Sequence, residues 1–288
     1  MEKLLADLRF TFRTLIKNPG FSSIAILSLA IGIGANTAIY TLYSAIFQRD
    51  LGVTDQSNLV DVYTSDELDE YMTSSYPDFL DYREQTGDAL EDLITYRLTL
   101  SIMETDAGAG DMVFGEEVSG NYFDLLGVSA HLGRTFVQEE HDVVGAAPTT
   151  VLSYTTWQRR FGSDPEIVGK TLKLSGTTFT IIGVAPRDFT GMFPFYVDMW
   201  VPITMHGYIT AFGEEPVLAG ERPPFMDSRS HRSLWMKGRL RTGVTVDQAE
   251  ASIQTVSARL AEEYPDTNEN RYGDTNINRN KYTNVNVK

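Results

Sequence analysis

Residues 21–47, FSSIAILSLAIGIGANTAIYTLYSAIF, run 27 positions without one Asp, Glu, Lys or Arg. At about 1.5 Å per helical residue the stretch crosses a hydrocarbon layer roughly 30 Å thick, with some tilt. A single crossing must satisfy its own backbone, which leaves an α-helix. Its polar residues are small or hydroxyl-bearing apart from Asn36. The competing assignment, a buried helix of a soluble domain, fits poorly because core helices rarely run so long without charge.

The flanks carry opposite charge. Lys3, Arg9, Arg13 and Lys17 precede the span against Glu2 and Asp7; Asp50, Asp55, Asp61, Asp66, Glu67, Asp69 and Glu70 follow it. Positive charge stays on the cytoplasmic side, so those four cations are the expected membrane-side anchors, with the N-terminus inside and the rest exported. The apolar region is too long for a cleaved leader, and Tyr43-Ser44-Ala45 is a poor cleavage site, so a retained anchor is expected. Before it, Leu4, Leu8, Phe12, Leu15 and Ile16 recur at helical spacing over 1–18. Segment 1–20 therefore reads as a cytoplasmic interfacial amphipathic helix, broken at Asn18-Pro19-Gly20 and lying against lipid or a partner.

Within the span, Ala30, Gly34 and Ala38 repeat every four residues and Ala45 continues their face; Gly32 and Asn36 make a second small stripe nearby. Small residues let helices approach closely in lipid, and a membrane-buried amide seeks a partner. Other helices are expected against this one.

The chain has 288 residues, 42% of them apolar, so about 240 lie beyond the membrane portion, enough for one large or two small cores. Setting aside Lys3, Arg9, Arg13, Lys17 and Arg49 with Glu2 and Asp7 leaves 19 basic against 37 acidic residues, a formal charge near −18 on the exported part. Such a field repels nucleic acid, which is excluded as a partner. Without cysteine there is no disulfide, thiolate metal site or thiol chemistry.

Beyond residue 48 the pattern is mixed. Strands are expected at Leu59–Tyr63, Arg97–Met103, Met112–Val118, Thr150–Ser153, Trp200–Ile203, Leu234–Leu240 and weakly at Thr283–Val287. Gly108–Gly110 forms a turn, and Thr171–Leu174 with Phe179–Val184 forms a hairpin across Ser175-Gly176. Helices are expected at Tyr76–Gln85, capped by Ser74 or Ser75, at Tyr122–Leu126, closed by Gly127, and at Thr156–Phe161. A further helix is capped by Thr245 and Asp247, carries Val246, Ala249, Ile253, Val256 and Leu260 on one face, and ends at Tyr264-Pro265. Residues 204–232 read as a long loop.

No catalytic constellation emerges. Gly162 to Thr171 superficially resembles a phosphate loop but has six residues between its glycines instead of four. The four histidines are scattered, Glu139-Glu140-His141-Asp142 reads as a solvated charge run, and Ser153 lies in no nucleophile elbow. Neither an enzyme, a metal nor a cofactor is expected.

Several motifs together resemble MacB/FtsX-type ABC-transporter permeases with their MacB-like periplasmic core domain. They are Leu8-Arg9 through Lys17-Asn18-Pro19-Gly20-Phe21, LAIGIGANTAI at 29–39, SYPDF at 75–79 and VSGNYFDLLGV at 118–128. LGRTF at 132–136, Leu152-Ser153-Tyr154 with WQRRFG at 157–162, and IIGVAP at 181–186 complete them. The order and spacing carry the match over residues 8 to about 203. The resemblance implies an α+β architecture: a single N-terminal transmembrane helix at 21–47, then a mixed α/β periplasmic domain over 48–288. That domain would comprise a porter-like βαβ lobe (about 50–110 and 233–288) and an inserted lobe (about 111–232).

It also implies an inner-membrane permease of the mechanotransmission type, in which cytoplasmic ATP hydrolysis moves the periplasmic domain during export or efflux. The implied partners are an ABC ATP-binding subunit, a second copy or related permease half, membrane lipid, and a periplasmic adaptor or outer-membrane channel. The family carries three further membrane helices after this domain, so the reading favours an incomplete permease. The alternative is a single-span anchored periplasmic binding or adaptor protein working without ATP.

Overall fold

The computed structural model describes residues 17–47, 51–65, 73–104, 110–140, 143–145, 148–209, 223–268 and 278–279. The expected helix at 1–18, the glycine turn apart from Gly110, and the tail strand at 283–287 lie outside them. The chain divides into two compact units, 1–49 and 50–288.

In the first unit, helix α1 (Pro19–Phe47) begins two residues before the apolar run, with Asn18 as the break. Proline is tolerated there because first-turn amides need no intrahelical partner.

The second unit is built on one mixed sheet. Its strands are β1 (Leu59–Val62), β2 (Leu90–Glu104), β3 (Gly110–Val118), β4 (Leu132–Gly133) and β5 (Thr149–Leu152). They are followed by β6 (Thr171–Leu174), β7 (Thr177–Val184), β8 (Met199–Pro202), β9 (Trp235–Leu240) and β10 (Asn278–Arg279). Their order is β10-β1-β9-β2-β3-β8-β5-β7-β4, with β6 pairing both β7 and the end of β2. The pairs β3–β8 and β5–β7 are parallel and the rest antiparallel.

Neighbouring residues on one strand enter different cores. Leu59, Ile94, Val151, Ile182 and Trp200 join one cluster; Val60, Leu93, Leu152, Ile181 and Val201 face away from it. The sheet is therefore covered on both faces, and its strands read as apolar runs in place of a clean alternation. A second cluster packs Val60, Leu93 and Met236 under two helices, α2 (Tyr76–Gln85) and α5 (Val246–Glu263). A third gathers Val113, Leu152, Phe179 and Val201 under α4 (Tyr154–Phe161).

Local chemistry sets the boundaries. Ser75 caps α2, its hydroxyl accepting from the Asp78 amide at 3.2 Å. Helix α3 (Tyr122–Leu126) ends in left-handed Gly127 (φ 65°), after which Val128 N–H reaches back to Phe123 O. In the β6–β7 turn both Ser175 and Gly176 have positive φ, 47° and 88°, which matches the right-handed twist of the flanking strands.

Three expectations need correction. Strand β2 starts at Leu90, not Arg97, because a bulge between Leu90 and Asp92 hides its register. Ser153 caps α4 from outside the strand, so that helix begins at Tyr154. The partner of Thr245 in capping α5 is Gln248, not Asp247: each side chain accepts from the other's amide, at 2.9 and 3.3 Å. The described parts of the loop expected at 204–232 carry only the 3-10 turns Ile203–Met205 and Pro224–Met226, while Arg229 grips Asp78 and Asp81 and lies 3.7 Å over the Tyr264 ring.

Candidate functional site

Two features stand out: an apolar helix whose side chains are largely exposed among the described residues, and a pair of carboxylates inside the sheet. Along α1 the stretch Pro19–Leu42 has mean hydropathy 1.7, and 6% of its most apolar 18 residues are buried. Ile24, Leu27, Leu29, Ile31, Ile33 and Leu42 are each more than half exposed. A core helix would bury such side chains; this one is long and apolar enough to cross a membrane.

Ala30, Gly32, Gly34, Asn36 and Ala38 all lie exposed on α1, nothing approaches a Cβ built at Gly32 or Gly34, and Ala45 continues the helix. At about 100° per residue, Ala30, Gly34, Ala38 and Ala45 fall within roughly 80° of arc, whereas Gly32 and Asn36 sit nearly opposite. The second stripe is thus across the helix from the first, not beside it as the spacing alone suggested. Thr37 turns its hydroxyl back onto Ile33 O at 2.8 Å. Lys17 is helical and exposed, while Lys3, Arg9 and Arg13 lie outside the described residues.

In the sheet, consecutive Glu116 and Glu117 on β3 are both fully buried, one on each face. Glu116 accepts from the Tyr122 hydroxyl at 2.6 Å, Trp200 Nε1 at 2.8 Å, and the amides of Met192 and Phe193 at 2.8 and 3.2 Å. Burial pushes its carboxyl above the usual range despite those four donors. Glu117 shows the other balance. Burial alone would raise it, but His206 and Arg97 outweigh the desolvation and hold it below the usual range. His206 Nδ1 lies 2.7 Å from Glu117 Oε2, and Arg97 Nη1 lies 3.3 Å from His206 Nε2. The arrangement binds together β2, β3 and the turn after β8. Neither glutamate was a candidate from sequence, since adjacent acids ordinarily mark a solvated surface.

The rejected motifs are accounted for locally. Lys170, in the phosphate-loop lookalike, is engaged by Asp164. The Ser153 hydroxyl donates to Thr156 Oγ1 at 3.1 Å in its capping role. Among the described residues no group of three or more His, Asp or Glu is placed to hold a metal.

Comparison with known proteins gives the family. The sequence matches the MacB-like periplasmic core domain over residues 22–256. It is 26% identical over 217 residues to the macrolide export ATP-binding/permease protein MacB of Escherichia coli K12, covering 70% of this chain and 32% of that protein. The same figures hold for MacB of Shigella flexneri. The chain thus spans about a third of the length of the curated relatives it matches. Among solved structures, the periplasmic region of MacB from Actinobacillus actinomycetemcomitans superposes with TM-score 0.53 at 13% identity, covering 75% of this chain and 88% of that one. The extracellular domain of the ABC-type transporter YknZ from Gram-positive bacteria gives 0.51 at 14%, covering 74% and 98%. Those two likenesses establish the fold; the match over 22–256 establishes more, namely that the chain belongs to the MacB-like periplasmic core domain family of ABC-type transporter permeases.

Proposed function

We propose that this chain is a permease component of an ABC transporter of the mechanotransmission type, with no catalytic residue of its own. ATP hydrolysis by a partner subunit in the cytoplasm moves α1, and α1 moves a periplasmic core domain during export or efflux. The observation that carries this is the family match, one family model running from residue 22 in α1 to residue 256 in α5. The basic residues before the span and the acidic ones after it support an N-terminus in the cytoplasm of the bacterial inner membrane. Small residues on two opposite faces of α1 suit a helix held between two neighbours, from a second copy or a related permease half. The separate second and third clusters support a porter-like lobe at about 50–110 and 233–288 and an inserted lobe at about 111–232. A periplasmic adaptor or an outer-membrane channel is the further partner this reading names.

The test is co-purification of the full chain, extracted in mild detergent from its own host, with an ATP-binding subunit. Recovery of a stoichiometric ATPase whose activity changes on reconstitution supports the reading. Repeated isolation of the chain without any ATPase contradicts it.

A further inference from the structure

The chain leaves α1 at Phe47 and enters the core domain through residues 51–55, which belong to no helix or strand. Leu51 is buried and Val53 packs on the first core cluster. The amide of Thr54 donates to Leu126 O at 2.9 Å and its hydroxyl to Gly127 O at 3.2 Å. A further hold on this segment comes from a distant side chain, Arg239 on β9.

Arg239 is buried, and its guanidinium joins three pieces of chain. Nη2 donates to Thr54 O at 2.8 Å and to Leu125 O at 2.7 Å; Nη1 donates to Asp55 O at 3.1 Å, and Nε to Leu125 O at 3.1 Å. The nearest carboxylate oxygen paired with it, Asp55 Oδ2, is 3.8 Å away. The charge is thus solvated mainly by main-chain carbonyls, an arrangement that only the five-donor planar fork of arginine supplies. Its backbone sits in the sheet between Leu59 of β1 and Asp92 of β2.

We infer that Arg239 is the positioning residue that fixes the entry segment 51–55 to the sheet and to α3, so that a pull transmitted through the membrane helix reaches β9 directly. This rests on the mechanotransmission reading. Without the guanidinium, the entry segment would peel from the domain and absorb the displacement as slack.

The test is optical-tweezers unfolding of the full chain in nanodiscs. The chain has no cysteine of its own, so handles attach only at Gln48→Cys and Glu263→Cys. The protein with native Arg239 is expected to stay taut until the domain ruptures. Arg239→Met is expected to show an earlier, low-force step in which residues 51–58 come free, an extension of roughly 25–30 Å. Arg239→Lys keeps a buried cation but cannot span three segments, so it is expected to give the same step at intermediate force, and it decides the matter if the Met variant does not fold. Rupture of both variants in one step, at native or lowered force, would overturn the inference by showing Arg239 to be unneeded or merely stabilising. Failure of the transport reading shows separately, as a chain that recruits no ATPase yet keeps the early step in its variants.

Discussion

The indole nitrogen of Trp200 donates to Glu116 across 2.8 Å, onto the oxygen that also accepts from the Tyr122 hydroxyl. Both aromatic residues belong to the first core cluster, and the other Glu116 oxygen holds the amides of Met192 and Phe193. One carboxylate therefore satisfies four donors. Glu116→Leu fills similar space but removes the shared acceptor of all four donors, and is expected to cost roughly 3–5 kcal/mol. Glu116→Gln keeps one acceptor oxygen but turns an NH2 toward the other pair of donors, so it should cost less than the Leu variant, roughly 1–3 kcal/mol. Urea unfolding of the three proteins checks this; a Leu variant as stable as the parent would refute the buried-hub account.

On the opposite face, Glu117 predicts a pH dependence with a definite sign. Its folded-state carboxyl is held below the ordinary value of 4.5, so its contribution is present above that value and is lost as pH falls through the lower folded value. The destabilisation caused by Glu117→Gln should be largest at neutral pH and shrink as the medium is taken below 4.5. Glu116 runs the other way, because its raised carboxyl costs stability as pH rises above 4.5. Paired denaturation curves of both Gln variants across acid pH read the two signs separately.

Asp61 and Lys237 form a buried cross-strand ion pair on β1 and β9. Removing one partner strands the other charge, so Lys237→Met alone is expected to cost roughly 3–5 kcal/mol. Asp61→Leu combined with Lys237→Met should recover most of that loss, since two apolar groups need no mutual solvation. A double-mutant cycle by thermal unfolding measures it; a fully additive loss would contradict the pairing.

The two faces of α1 give an additive prediction. Gly34→Ile and Asn36→Leu lie on nearly opposite sides, so each should weaken helix association by about 1–2 kcal/mol without altering the other. A membrane two-hybrid reporter on the full chain gives the comparison. A double variant no worse than either single one would mean a single packing face.

Much of the architecture was legible where the signal is local. Ser75 with Pro77 announces α2, Gly127 ends α3, and Ser175-Gly176 turns the β6–β7 hairpin, because each depends on a few adjacent residues. The membrane helix was legible because solvent, and not tertiary contact, dictates its composition. The acidic centre was not. Glu116 and Glu117 read as surface, and only the covering of both sheet faces, with Trp200 and His206 brought from more than 80 residues away, makes them interior. Arg239 was equally silent, since its partners are backbone carbonyls that carry no sequence signature. The early start of β2 was hidden for a related reason: Glu91 and Asp92 interrupt its apolar run, and Asp92 is taken up by Arg83 and Asn121.

The most direct test of the whole account is the sidedness of α1. In a chain without natural cysteine, Lys17→Cys and Glu262→Cys each offer one thiol for a membrane-impermeant maleimide. In spheroplasts the thiol at 262 is predicted to label at once, and the thiol at 17 only after the membrane is lysed. Labelling at 17 in intact spheroplasts with protection at 262, or equal labelling at both, would contradict a helix crossing the bilayer with its basic end inside.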